Sequence, residues 1–337
     1  MLYAAIATAL FAFSAVATFV LGSQLPAMAV FPVPVALYMV RRMPYRAVGL
    51  ALVSGIAAST GMISRWVLLQ ITGSPGEAET GSEIVLITIW PGLYQALFSS
   101  AGLLVGWGIV RRWTYGRVVY ATTAVVFGLT LVHDMLLWQE WTSQAESFLG
   151  AFEETLAQQA TQQGISLPSA QRDVIAQLKE NWPNIAFGTN YLAILAVTCL
   201  AVTLTAAGLR KWLGEPGPVG SFMTMRPTEW LIWAVIGVAG LWFWDHYSPN
   251  EAVRFVAWNA AVGLAAVYWF NGLGIMVYGS HVLRPPVAVV LAVLILIVLL
   301  DMRVFLLTFG LFDTWADFRT KCDAFAASRK AREEDDS

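Results

Sequence analysis

Apolar runs near membrane-spanning length recur along the chain: they fall at residues 2–21, 25–40, 47–70, 84–110, 117–138, 186–209, 227–244, 255–280 and 285–301, with a tenth, ambiguous run at 303–318. Crossing the hydrocarbon core takes about 20 mostly apolar residues in an α-helix, which satisfies its own backbone hydrogen bonds where no water is available. The pattern therefore predicts an all-α, polytopic transmembrane helical bundle of about 8 to 10 membrane segments. Residues 2–21 lack a basic flank and a clear cleavage site, so they read as a first membrane helix rather than a removable signal. The run at 303–318 is short for a full span and reads as a tilted half-helix or a re-entrant piece.

Between the fifth and sixth runs the pattern changes from continuous to amphipathic. Phe148, Leu149, Phe152 and Leu156 share one helical face, as do Val174, Ile175, Leu178 and Trp182, with Gly164 and Pro168 between the two stretches. An extramembrane helical hairpin over 139–183 is expected, serving either as a lid or as a connector whose apolar stripe rests on lipid. The domain organisation that follows is 1–138 as N-terminal membrane helices, the hairpin at 139–183, 184–320 as C-terminal membrane helices and 321–337 as a charged tail.

Composition narrows the class further. Of 337 residues, 58% are hydrophobic and 12% charged, and the mean hydropathy is +0.63, which excludes a water-soluble fold. With 20 basic and 22 acidic residues the chain lacks the basic face that nucleic acid requires, so no nucleic-acid partner is expected. Cys199 and Cys322 are far apart and suggest neither a disulfide nor a metal pair. The basic residues cluster in alternate turns, at Arg41, Arg42 and Arg46, at Arg111, Arg112 and Arg117, and at Arg210, Lys211 and Arg226, which places these turns and the N-terminus in the cytoplasm. The acidic loop with Glu77, Glu79 and Glu83 and the 139–183 hairpin then face outward, and the basic tail (Arg319, Lys321, Arg329, Lys330, Arg332) faces inward. The first two basic turns also echo one another, Val40-Arg41-Arg42-Met43-Pro44-Tyr45-Arg46 against Val110-Arg111-Arg112-Trp113-Thr114-Tyr115-Gly116-Arg117, 70 residues apart. An internal repeat and an independent product of charge bias with interfacial aromatics both account for that echo.

Ionisable groups within or at the edge of apolar runs are the first functional candidates, because each is costly in hydrocarbon unless it is paired or lines a polar cavity. They are Arg65, His133, Asp134, Asp245, His246, Asp301 and Arg303, all toward the outer ends of their helices. Two readings follow: an outward-open cavity in which Arg65 and the two Asp–His pairs meet a polar solute while Asp301 and Arg303 close the far wall, or interfacial charges that snorkel to water. His133, Asp134, Asp245 and His246 are metal-ligand types without metal-ligand spacing, so no metal is expected. Pro26, Pro32 and Pro34 in the second run, and Pro91-Gly92 followed by Tyr94, Gln95, Ser99 and Ser100 in the fourth, mark candidate breaks that would expose backbone or kink a packed helix. Trp66, Trp138, Trp141, Trp182, Trp242 and Trp244 gather at the outer boundary as an aromatic belt. Phosphate-loop, nucleophile-elbow, zincin and haem motifs are missing, so neither catalytic residues nor a cofactor is expected.

The C-terminal third carries Tyr268-Trp269-Phe270-Asn271-Gly272-Leu273-Gly274-Ile275-Met276-Val277-Tyr278 and then Gly310-Leu311-Phe312-Asp313-Thr314-Trp315-Ala316-Asp317-Phe318-Arg319. In these motifs the chain resembles the YybS-like family of predicted bacterial membrane proteins, domain of unknown function 2232, with a helix layout that extends the resemblance over residues 1 to about 320. The resemblance implies a location in the bacterial cytoplasmic membrane and an architecture similar to the membrane-embedded substrate-binding subunits of energy-coupling-factor transporters. It implies no catalytic residue. Physically, Asn271, Gly272 and Gly274 permit close helix packing around one polar group, while Gly310, Asp313, Asp317 and Arg319 belong to the end of the last apolar helix at the cytoplasmic interface. The expected function is solute binding or permeation through the outward cavity, with the bilayer, a small-molecule solute and a separate energising or partner subunit as partners. The alternative is a non-transporting scaffold that recruits partners through its outer hairpin and its tail.

Overall fold

A computed structural model describes residues 32–71, 81–136, 138–162, 169–214, 217–283 and 303–335, with a few isolated positions before residue 32. The expected first helix and the run at 285–301 lie outside these residues, as do Pro26, Gly164 and Pro168. The described elements are helical: α1 Pro32–Val40, α2 Pro44–Ile71, α3 Gly81–Val110, α4 Tyr115–Leu136, α5 Trp138–Gln162, α6 Ser169–Gly208, α7 Leu231–Tyr247, α8 Glu251–Leu283, α9 Arg303–Ala316 and α10 Phe318–Asp335. Three stretches are long and apolar enough to cross a bilayer, Tyr115–Val132, Asn184–Lys211 and Glu251–Leu283, and Gln95–Val110 and Val304–Ala316 are shorter apolar helices among the described residues.

The chain forms two compact units, residues 1–126 with 194–226 and residues 127–193 with 227–337. In the first, the expected breaks turn out differently. Pro32 and Pro34 lie within helical backbone, since Val30 before them is helical as well. Helix α3 runs without interruption through Pro91 and Gly92, which a membrane helix tolerates when neighbours hold it in line. Gln95 and Ser99 are buried rather than exposed to a solute. Ser99 shares a 2.6 Å hydroxyl contact with Ser54 of α2 and accepts from Gln95 Nε2 at 3.4 Å, so these polar groups join two helices.

Packing of α1 on α3 depends on two glycines. A Cβ added at Gly102 would collide with the Pro32 carbonyl and Val35, and one at Gly106 with Met39 and the Ala36 carbonyl. Both contacts advance by four residues along both helices, so α1 and α3 run parallel with residue n against n+70. Their C-termini, Val40 and Val110, therefore end at one level. The two turns that follow match bond for bond: Arg42 and Arg112 have φ of 57° and 58°, Arg42 N–H reaches Met39 O and Met43 N–H reaches Tyr38 O, as Arg112 reaches Ile109 and Trp113 reaches Gly108. This is the Schellman arrangement, which closes the last carbonyls of a helix. The echo at 70 residues is thus a structural correspondence, in register and side by side.

In the second unit, α5 and the first part of α6 occupy the stretch where a hairpin is expected. Lys179 Nζ meets Glu153 Oε2 at 2.7 Å between them, Ile175 is buried and Phe152 is exposed. The boundary expected at residue 183 falls inside one continuous helix, since α6 runs for 40 residues from the hairpin into the apolar stretch. Helix α7 buries none of its residues, and Trp233, Ile236, Phe243 and Trp244 are exposed along it; an apolar helix exposed this widely needs lipid around it. Helices α9 and α10 pack against α8.

Replacing Gly106 with Leu is expected to force α1 from α3 and to lower the unfolding midpoint in detergent by an amount matching about 1 to 3 kcal/mol of overpacking. Gly128→Ala, where nothing lies within 4 Å of the new methyl, is expected to leave the midpoint unchanged or raise it. Equal midpoints for the two variants would refute the close α1–α3 contact.

Candidate functional site

Three helix ends meet the middle of a fourth helix at one end of the second unit: the end of α4, the start of α5 and the start of α8 against the middle of α6. They enclose a cavity of about 670 Å³ lined by Met135, Trp138, Glu180, Asn181, Asn184, Phe187, Glu251, Ala252, Arg254 and Phe255. That is within the usual range for a small-molecule site. Three aromatic rings form one wall, with Trp138 stacked on Phe187 at 5.2 Å and Phe255 edge-on to Phe187 at 5.6 Å and to Trp138 at 6.1 Å. One turn deeper, α6 and α8 close together: the Gly188 N–H donates to Asn259 Oδ1 at 2.9 Å, and a Cβ at Gly188 would clash with Val262 and the Asn259 carbonyl.

The first turns of α8 line the cavity with Glu251, Ala252 and Arg254, and the short turn between α7 and α8 holds them in place. Asn250 caps α8, its Oδ1 accepting from the N–H groups of Ala252 at 2.9 Å and Val253 at 3.2 Å. Asp245, in the last turn of α7, accepts from the Asn250 N–H and from Arg254 Nε, each at 3.0 Å. Those two bonds, the backbone one first and then the guanidinium, hold the Asp245 carboxyl below the usual carboxylate value. Arg254 is thereby anchored by Asp245, with Glu180 and Glu251 within electrostatic reach of it. Against one anchored guanidinium stand three carboxylates, so the mouth is acidic.

Of the residues expected at the site, Asp245 supports the wall through Arg254. His246 is exposed, its ring against Tyr247 at 5.3 Å. The side chains of Arg65 on α2, His133 and Asp134 on α4 and Arg303 at the start of α9 lie outside the described residues, as does Asp301. Trp138, expected in an interfacial belt, is part of the cavity wall. Glu180, Asn184, Glu251 and Arg254 carry no motif; the i, i+4 spacing of Glu180 with Asn184 and the i, i+3, i+4 spacing of Glu251, Arg254 and Phe255 are the signals that put each set on one face. No group of three or more metal-binding side chains occurs among the described residues.

The motif at the chain's end builds a second cluster, closed rather than open. Asp313 and Arg319 are buried, with side chains 3% and 4% exposed, and Arg319 Nη1 meets Asp313 Oδ2 at 2.5 Å. Arg319 Nη2 donates to Asn271 Oδ1 at 3.2 Å, and Asn271 Nδ2 donates to the Gly310 carbonyl at 2.8 Å. The break between α9 and α10 uses the same carboxylate: Asp317 takes φ of 43°, its N–H bonds the Asp313 carbonyl, and the Phe318 N–H bonds Asp313 Oδ1 at 2.9 Å. Gly272 and Gly310 allow the approach, since a Cβ on either would strike the backbone of the facing helix. Gly274 is buried on the same helix. Asp313 and Asp317 therefore do not act together on one face. Asp313 pairs internally, and Asp317 turns the chain and accepts from Thr320 Oγ1 at 2.6 Å. Tyr278 Oη donates to Asp323 Oδ1 at 2.7 Å and further ties α8 to α10.

Residues 82–314 match the model of a family described as predicted membrane protein (DUF2232). The match takes in Asn271, Gly272, Gly274, Gly310 and Asp313, begins well after residue 1, and ends before Asp317 and Arg319. No curated protein and no solved structure matches the chain.

Removing one member of the buried pair strands the other, so Arg319→Leu and Asp313→Leu are each expected to cost about 3 to 5 kcal/mol, with the double variant far from additive. Additive losses in thermal unfolding would refute the pairing. Asp245 has a depressed folded value, so what it contributes is complete above the unfolded carboxylate value of about 3.9 and is lost as pH falls through the lower folded value. Asp245→Asn is thus expected to make the acid-side loss of stability smaller by the share of Asp245 and to leave the slope between about pH 5 and 8 unchanged, as measured by unfolding across pH.

Proposed function

The chain belongs to the DUF2232 family of predicted membrane proteins, and on that premise we propose that it is a non-enzymatic solute-binding or permease-like protein of the bacterial cytoplasmic membrane. It crosses the bilayer about 8 to 10 times, with the basic turns inside and the α5–α6 hairpin outside. What supports solute binding is the cavity of about 670 Å³ between α4, α5, α6 and α8. Its chemistry selects a class of solute: the Trp138–Phe187–Phe255 wall suits a flat ring, Asn181 and Asn184 suit a hydrogen-bonding edge, and the carboxylates of Glu180 and Glu251 favour a neutral or cationic donor over an anion. A separate subunit would supply any driving energy, because the chain has no nucleotide-binding motif of its own.

The test is thermal unfolding of the detergent-purified protein against nucleosides, ring-containing vitamins, amines and amino acids. A compound that binds only the folded state adds about 2.7 kcal/mol at a hundred times its Kd. The expected result is a rise in midpoint with a ring-bearing neutral or cationic compound, lost in Asn184→Ala and Glu251→Gln although both fold as the wild type does. A panel that shifts nothing would sink this reading and leave the scaffold alternative, to be pursued through partners of the α5–α6 hairpin.

A further inference from the structure

The two arginine turns of the first unit carry more charge than topology alone needs. Because α1 and α3 pack in parallel with an offset of 70, Arg41 and Arg42 sit level with Arg111 and Arg112, one close helix contact away. All four side chains are exposed, and among the described residues none is paired with a carboxylate. Val219 bonds backbone to backbone with Trp113 and Tyr115 and fixes the second turn from its other side. The left-handed position in each turn belongs by conformation to glycine, yet it holds arginine twice, at Arg42 and Arg112. Helix C-termini attract cations, but the two half-charges at the ends of α1 and α3 do not balance four guanidinium groups. An anion does.

A second observation says where that anion comes from. Below the Arg41–Arg42 turn, α2 exposes Val48, Leu52, Ile56, Ile63 and Val67 at steps of four, four, seven and four, with exposures of 44%, 57%, 61%, 46% and 40%, while Ala47, Leu50, Ala51, Ala57 and Ala58 between them are buried. From Val48 to Val67 the stripe covers 19 residue steps, roughly 28 Å at 1.5 Å each, about the thickness of a hydrocarbon core. Tyr45, 92% exposed, stands at its head, and Trp107 beside the second turn lies under the Arg111 guanidinium at 5.7 Å. Charge at one end, aromatic rings at headgroup level and an apolar track of acyl-chain length below describe a lipid rather than a soluble anion.

We infer that the paired turns Arg41–Arg42 and Arg111–Arg112 form a binding site for an anionic phospholipid headgroup, with its acyl chains along the exposed stripe of α2. Guanidinium groups suit the phosphate because they bind it in two-point fashion. The inference rests on membership of a membrane-protein family and not on the solute cavity, so either can fail alone.

The experiment is native mass spectrometry, with thermal unfolding in parallel, of the full chain in a neutral detergent with phosphatidylglycerol, phosphatidylcholine or inorganic phosphate added at equal concentration. Phosphatidylglycerol is expected to remain bound and to raise the midpoint, phosphatidylcholine to be retained at least about tenfold less (1.4 kcal/mol), and phosphate to do neither. Salt at about 1 M, which shortens screening to about 3 Å, should abolish the preference. Replacing the four arginines by Gln should equalise the two lipids, replacing them by Lys should keep part of the preference, and Arg332→Gln on α10 should change nothing. Should the fourfold variant fail to fold, Arg41→Gln/Arg42→Gln and Arg111→Gln/Arg112→Gln are each expected to weaken the preference several-fold. Equal retention of both lipids by the wild type, a preference that survives salt or the Gln variants, or an equal effect of phosphate would each overturn the proposal.

Discussion

Where lipid is the solvent, helices gain little from burying apolar surface against one another, so contact geometry and polar pairing decide which faces meet. The described parts of this protein follow that constraint at each close contact. Gly102 and Gly106 bring α1 onto α3, Gly188 brings α6 onto α8, and Gly272 with Gly310 brings α8 onto α9. Beside each glycine contact, or one helix away, lies a polar group that must be satisfied internally: Ser54 with Ser99, Gly188 with Asn259, Asn271 with the Gly310 carbonyl. Elsewhere in the first unit Tyr115 Oη serves the same purpose with Thr203 Oγ1 at 2.8 Å.

The Asp313–Arg319 pair is the strongest instance. Two opposite charges buried to a few per cent are tenable only when bound to each other and to further partners. Here the carboxylate also accepts the Phe318 N–H, so one side chain ends α9, starts α10 and neutralises a guanidinium. A cluster so fully satisfied has no valence left for a solute, which gives it a structural role. The cavity at the other end of α8 is its physical opposite: large rings at helix ends hold α4, α5, α6 and α8 apart, and the carboxylates around the opening keep water contact.

The legible part of the fold came from period and punctuation. The turn at Arg41–Arg42 and the turn at Arg111–Arg112 stand where apolar runs and basic residues put them. Proline misled as a signal of broken helices: Pro32, Pro34 and Pro91 all stand in helical backbone of α1 and α3. The echo at 70 residues was visible as letters, but whether it meant a repeat depended on two glycine contacts that set the same offset in space.

The site was read less well, and for a definite reason. Scarcity of charge inside apolar runs pointed to Asp245, which proved to be the residue that anchors Arg254, while Arg254 itself, with Glu180 and Glu251, looked like ordinary charge at helix ends. Sequence alone determined that the chain is helical, belongs in a membrane and turns at its arginines, because hydropathy and local backbone chemistry act over a few residues at a time. Tertiary structure alone decided which polar groups share a wall and which cancel one another, because that depends on helix register and crossing, set by contacts between residues as distant as Asn271 and Arg319 or Phe187 and Phe255.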